Sequence, residues 1–172
     1  MVVRSERITE FSVFLNGSEY LGVATADLPE VTYLSDTIKG AGIAGQLEAP
    51  SRGITDSLTL TLNWRTIEEG GLKLLAPIVH SIDLRGSIER FNTATDAYEE
   101  VPIKVTTRGR PLSGGLGGLE AAATMDSSNS FSLTYLKVSI NNKEYLEIDK
   151  LNYIYKVYGN DYLAQMRKNL AL

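Results

Sequence analysis

The chain has 172 residues, 43% of them hydrophobic and 22% charged, a size and balance that suit one domain with its own core. The absence of cysteine excludes disulfides and cysteine-based zinc sites, and a formal charge of −4 argues against a basic face that grips nucleic acid. No apolar run reaches the ~18 residues of a bilayer-spanning helix, and the first residues hold no signal-peptide core, so a soluble, cytosol-made protein without a membrane anchor is expected.

Residues 1–10 are polar and unpatterned, which predicts an N-terminal arm that frays or lies on a neighbour. Two apolar runs, Phe11 to Leu15 and Tyr20 to Ala24, flank Asn16-Gly17, the strongest short signal for a β-hairpin. Residues 31–38 and 57–64 both read as extended. In the second, Leu58, Leu60, Leu62 and Trp64 alternate with Ser57, Thr59, Thr61 and Asn63, so one wall is buried and the other wet. Between them, residues 39–56 are rich in glycine and small side chains and read as a long loop. Such loops are functional or disordered. The apolar members Ile43, Leu47 and Ile54 argue against disorder and predict contact with something outside the domain.

Thr66-Ile67-Glu68-Glu69 has the form of a capping box and predicts a helix to about Leu75, stopped by Pro77. Residues 78–91 read as a long strand with Ile78, Ile82, Leu84 and Ile88 on the inner face. Val79, Ser81, Asp83 and Arg85 fall on the wet one. A turn at 92–96 returns the chain along 99–107, where Pro102 hints at a sheet edge. Residues 112–126 form a connection rich in glycine and then alanine.

From Phe131 the chain alternates again, with Phe131, Leu133 and Tyr135 on one face and Leu136, Val138 and Ile140 continuing the other. Asn141-Asn142 supplies a turn, 145–149 returns, and 151–158 makes a third run with Leu151, Tyr153, Tyr155 and Val157 on one side. After Gly159-Asn160, Asp161 is placed to cap a short helix whose apolar stripe is Tyr162, Leu163, Met166 and Leu170. Seven or eight strands and two short helices give an α+β, mainly antiparallel β-barrel or sandwich.

Candidate chemistry is thin. The single histidine, His80, lacks partners for a triad or a metal site and reads as structural. Glu68-Glu69 and Glu99-Glu100 are adjacent pairs, which point to opposite faces of a strand and read as solvated charges. The glycine run at 114–118 lacks the Lys-Ser/Thr of a phosphate loop. Tyr145, Tyr153, Tyr155, Tyr158 and Tyr162 have the character of base-stacking residues, but Lys137, Lys143, Lys150 and Lys156 are interleaved with acids. A tyrosine-lined core and subunit interface explain the same residues. No catalytic, metal or cofactor-binding residue is assigned.

Charge is unevenly placed. Between Asp27 and Asp56 five acids (Asp27, Glu30, Asp36, Glu48, Asp56) oppose two bases, a balance of −3, while residues 150–172 carry +3. Two readings stay open: an acidic channel wall that repels phosphates, or opposite patches that attract neighbouring copies.

The C-terminal run resembles the signature of the major tail tube proteins of contractile-tailed bacteriophages. In these a strand of the form E-I-D-x-x-N leads through a glycine turn to a D-x-L-A-x-x-R-x-x-L helix, matched here by Glu147, Ile148, Asp149, Asn152, Gly159, Asp161, Leu163, Ala164, Arg167 and Leu170. The resemblance extends more loosely through most of the chain. It implies a single tail tube domain over 1–172, with an arm at 1–10, a long hairpin or loop at 39–56 that lines the channel and touches the next subunits, and a terminal helix at 161–171. It implies sixfold rings stacked into a hollow tube inside a contractile sheath, with a tape-measure protein within and baseplate or tube-initiator proteins at the end. DNA would pass without specific binding, and assembly would take place in the bacterial cytoplasm. The related tubes of R-type bacteriocins and type VI secretion share the fold. Under this reading Ile43, Leu47, Ile54, Tyr153, Tyr155 and Tyr158 are candidate interface residues, and Asp36, Glu48 and Asp56 candidate lumen residues. The alternative is a monomeric β-barrel binding module or small enzyme, which would need a concave site with convergent polar groups.

Overall fold

A computed structural model describes residues 3–172. It contains strands β1 (Val3–Leu15), β2 (Glu19–Leu21), β3 (Thr25–Asp27), β4 (Tyr33–Lys39), β5 (Gln46–Thr55) and β6 (Leu58–Trp64), helix α1 (Glu69–Lys73), then β7 (His80–Asn92), β8 (Ala97–Gly115), β9 (Ser127–Ile140), β10 (Lys143–Asp149), β11 (Ile154–Val157) and β12 (Asn160–Asp161), and helix α2 (Ala164–Asn169). The class is the expected one, mainly antiparallel β with two short helices. Ten strands form one sheet in the order β12-β11-β10-β9-β8-β7-β1-β2, with β6 branching from β9 and β3 from β6. Among the described residues the ladder does not close on itself into a barrel.

The branch at β9 has a local cause. Arg108 pairs with Tyr135 and Gly109 with Leu133, so Thr134 is an extra residue, a β-bulge. Before the bulge β9 pairs with β6, from Ser127–Trp64 to Leu133–Leu58; after it β9 pairs with β10, from Tyr135–Asp149 to Ile140–Lys143. The bulge also moves the inward face from odd to even positions. Phe131 and Leu133 are buried on one side of it and Leu136 on the other. Opposite it only glycine fits at position 109, where a Cβ would lie 2.7 Å from the carbonyl oxygen of Ser132.

Leu58, Leu60, Leu62 and Trp64 of β6 are the centre of the core, packed with Val13, Leu15, Leu21, Ile82, Leu84 and Val105. Trp64 Nε1 donates to Asn129 Oδ1 at 2.8 Å, and Asn129 Nδ2 donates to the Gly71 carbonyl at 3.2 Å, so the buried amide ties α1 to the core. His80 is structural: its Nε2 donates to the Ala76 carbonyl at 3.0 Å and its ring sits edge-on to Phe131.

Several local expectations change. Residues 3–10 are not a loose arm but part of β1, paired with β7 from Val3–Asn92 onward. The capping box does not form, because Glu68 is the N-cap of α1 without a side-chain cap bond and its Oε1 instead accepts from Thr66 Oγ1 at 3.1 Å. Ile78 and Val79 precede β7 and are exposed. Asp83, expected on a wet face, is buried beside Lys104 Nζ at 3.2 Å. Pro102 lies inside β8, but at the point where β9 runs out: its carbonyl accepts the N–H of Asn141 at 2.8 Å and no donor is missed.

Asn129→Ala leaves the Trp64 indole N–H and the Gly71 carbonyl unpaired in the core. It is expected to cost about 2 kcal/mol, read as a lower urea midpoint at unchanged slope.

Candidate assembly surface

Strands β4 and β5 form a separate two-stranded sheet, with no backbone ladder to the ten-stranded one among the described residues. Of the long hairpin or loop expected at 39–56, the hairpin form is the one observed, with the tip at 40–45 and Asp56 outside the strands. Every residue of β4 is exposed. Cross-strand partners share a face and successive residues alternate. The pairs Ser35–Pro50, Thr37–Glu48 and Lys39–Gln46 form one face, and Asp36–Ala49 and Ile38–Leu47 the other. The hairpin is thus amphipathic. Its polar face is stitched by Ser35 Oγ donating to Glu48 Oε1 at 2.6 Å. On its apolar face Ile38 is 46% and Leu47 55% exposed. A two-stranded hairpin in water is marginal by itself, and one with a bare aliphatic face needs cover.

Four contacts tie the hairpin to the body, and all four fall on residues 150–163. The Tyr33 and Tyr155 hydroxyls lie 2.5 Å apart. The Arg52 guanidinium stands 5.4 Å from the centre of the Tyr162 ring. Lys150 Nζ donates to the carbonyls of Thr55, at 3.4 Å, and of Asp56. At Gly53, whose φ is +74°, a Cβ would come within 3.0 Å of Leu163 Cδ2, so the bare backbone rests on that side chain. Burial pushes the Lys150 amine down despite nearby Asp56, and burial followed by the Tyr33 hydrogen bond pushes the Tyr155 phenol up.

The C-terminal motif builds the support under those contacts. Asp149 Oδ1 accepts the N–H groups of Leu151 and Asn152, each at 3.1 Å, and its Oδ2 accepts from Asn152 Nδ2 at 2.7 Å. The reversal at 150–153 is therefore a turn rather than the start of a strand. Asp161 is not the helix N-cap; that residue is Leu163, whose N–H donates to Asp161 Oδ1 at 3.1 Å. Arg167 donates to Asp161 Oδ2 and to the Tyr153 carbonyl, both at 2.5 Å. The Arg167 hydrogen bond holds the Asp161 carboxyl below the usual aspartate range.

The expected site residues therefore separate. Leu47 is on the apolar face and Ile43 at the tip, both exposed, while Ile54 stands at the root and lines a cavity of about 160 Å³ with Tyr153 and Leu163. Tyr153 sits in the turn and Tyr158 is exposed against the Tyr145 ring. Tyr155 is buried and serves as a strut beneath its own hairpin rather than a surface side chain. Asp36 and Glu48 lie on opposite faces, so one flat wall presents only one of them, and Asp56 is at the root, accepting the Ser57 N–H at 2.6 Å. Part of the opposition between the acidic and basic stretches is met within one chain, at Lys150. Ile38, Tyr33 and Gly53 are the residues that sequence reasoning missed. The period of two through Asp36 and Ile38 was the available signal for the first; nothing local marked the other two.

A family model described as phage tail tube protein FII matches residues 5–170. The tail tube protein of Escherichia phage P2 is 33% identical over 171 residues, covering 94% of each chain. The major tail tube protein of Serratia phage KSP20 is 25% identical over 159 residues, covering 91% of this chain and 90% of its own. Among solved structures, a chain of the PVC sheath/tube terminator of an extracellular contractile injection system aligns with a TM-score of 0.55 at 12% identity, over 79% of this chain and 97% of its own. The tube-terminating cap of the anti-feeding prophage aligns at 0.51 and 16% identity, over 81% and 93%. Those two likenesses are of fold.

The lowered carboxyl of Asp161 contributes stability that is complete above the ordinary aspartate value of ~3.9 and is lost as pH falls through its lower value in the fold. Asp161→Asn is expected to melt a few degrees below the wild type at neutral pH, about the effect of a single lost interaction. The two melting curves, followed by circular dichroism, should converge only as the pH falls below the lowered value of the Asp161 carboxyl.

Proposed function

The chain belongs to the phage tail tube protein FII family, and on that premise we propose that its copies close into sixfold rings that stack into the inner tube of a contractile particle. A tail tube protein is a structural component and not an enzyme. In the proposed arrangement the hairpin β4–β5 is the element exchanged between copies. The face that bears Ile38, Leu47 and Ala49 lies on a neighbouring subunit, with Asp36 at its polar margin and Ile43 at the far end of the same contact. Its polar face turns to the channel. Glu48 is then the lumen acid, and Lys39 on the same face offsets it, so DNA meets a polar wall without net charge from this face and slides without specific binding.

The observation that carries this reading is the hairpin itself: a two-stranded sheet separate from the main one among the described residues, polar on one side and with Ile38 and Leu47 about half exposed on the other. Head-to-tail contacts of this kind close into rings when the rotation permits and into filaments when it does not. Among the described residues the outer edge of β1 ahead of Val13 is also without a strand partner, and sheets of adjacent copies that join there remove an aggregation-prone edge. A sheath protein outside the tube, a tape-measure protein within it during assembly, baseplate or initiator proteins at its end and assembly in the bacterial cytoplasm complete the proposal.

Leu47→Lys and Ile43→Asp are each expected to abolish rings and tubes, seen by negative-stain microscopy and by mass from light scattering. The unassembled chain should melt within ~2 °C of the wild type, because neither site is buried in its own fold. Glu48→Gln, on the opposite face, should assemble normally. Normal tubes from Leu47→Lys would contradict the placement.

A further inference from the structure

Among the described residues the hairpin has no backbone ladder to hold its angle against the body, so its direction depends on a few side-chain contacts. Those contacts come from Tyr155, Tyr162, Leu163 and Lys150. None of these residues lies in a long element of its own: β11 has four residues and β12 two. The ladder of β11 with β10 holds residues 154–157, but the reversal before it and the residues after β12 need a further hold. Tyr153 is a bulky aromatic with φ of +51°, a left-handed conformation that is rare and costly for such a residue. A strained residue persists where its surroundings over-determine it, and here the Tyr153 carbonyl is gripped by Arg167. The same guanidinium holds Asp161, whose other oxygen takes the N–H of Leu163. One side chain thus fixes both ends of the segment on which the hairpin root rests.

We propose that Arg167 is a positioning residue for assembly: by bridging Tyr153 and Asp161 it sets Tyr155, Tyr162 and Leu163 beneath the root of β4–β5 and so aims the hairpin toward the next copy. This rests on the reading of the hairpin as the element exchanged between copies. The contact is entirely internal to one chain, so Arg167 acts on assembly through Leu163 and Gly53 rather than by touching a neighbour. Planarity matters, because two separate acceptors are met by two nitrogens of one rigid fork, which a lysine cannot reproduce.

The test is hydrogen exchange with peptide-level mass spectrometry on the unassembled full chain, paired with tube yield by microscopy. In Arg167→Ala, peptides over residues 33–55 are expected to exchange about tenfold faster while those of β6 and β9 keep their protection, and tube yield should fall by a similar factor. Arg167→Lys should rescue only part of either effect. Leu163→Ala leaves the Arg167 bonds in place but removes the side chain under Gly53. It should reproduce the faster hairpin exchange, and it decides the matter if Arg167→Ala loses protection throughout. Unchanged exchange over 33–55 in the folded variants overturns the inference. Faster hairpin exchange with normal tube yield instead overturns the role of the hairpin between copies, and with it the assembly role of Arg167.

Discussion

A pair of strands with one aliphatic face cannot stand in water alone, and that constraint organises this molecule. The β4–β5 hairpin leaves Ile38 and Leu47 about half exposed on a sheet that, among the described residues, no other strand extends. Covering the exposed part of each is worth about 1 kcal/mol, a small gain for one copy that recurs at every copy of a polymer. The body also exposes aliphatic side chains, Ile8, Ile78 and Val79 among them, but it rests on a closed core. Its core, centred on β6, is closed by fully buried leucines and by a hydrogen-bonded tryptophan, so the chain folds first and associates through what remains uncovered.

The C-terminal quarter acts as the footing of that hairpin. Its recurring residues are easily mistaken for surface features, since Asp149, Asn152, Asp161 and Arg167 are all polar. In the structure they satisfy one another and the backbone of two tight reversals. Their charge is spent locally. What they present to the hairpin is apolar or aromatic: Leu163 under Gly53, Tyr155 against Tyr33, Tyr162 beside Arg52. This division of labour explains why a motif of acids, amides and one arginine belongs to a protein with no chemistry to perform.

Much of the fold was legible because its period was legible. Alternation along β6 placed Leu58, Leu60, Leu62 and Trp64 inside correctly, and Asn16-Gly17 marked the β1–β2 hairpin. The change of face after Leu133 was visible as a shift from odd to even positions; its cause, the bulge at Thr134, needs two partner strands to be seen. What failed was local logic overridden by distant partners. Residues 3–10 look unpatterned because they pair along an edge and bury neither face. Asp83 reads as wet until Lys104 is brought beside it from the next strand. Thr66 and Glu68 meet each other instead of the helix backbone. At the candidate surface, apolarity in a glycine-rich stretch drew attention to Leu47 and Ile43, which are exposed, whereas Tyr155 is buried, because a strand of alternating tyrosines does not say which ones lie under another part of the same chain.

The central claim is that the aliphatic face of β4–β5 is covered by another copy. Cryo-electron microscopy of the assembled tube, at a resolution that shows side chains, addresses it directly. The account predicts Ile38, Leu47 and Ala49 packed on a neighbouring subunit with Glu48 and Lys39 facing the channel. A tube in which the hairpin folds back onto its own subunit, or stands with both faces in water, would contradict it.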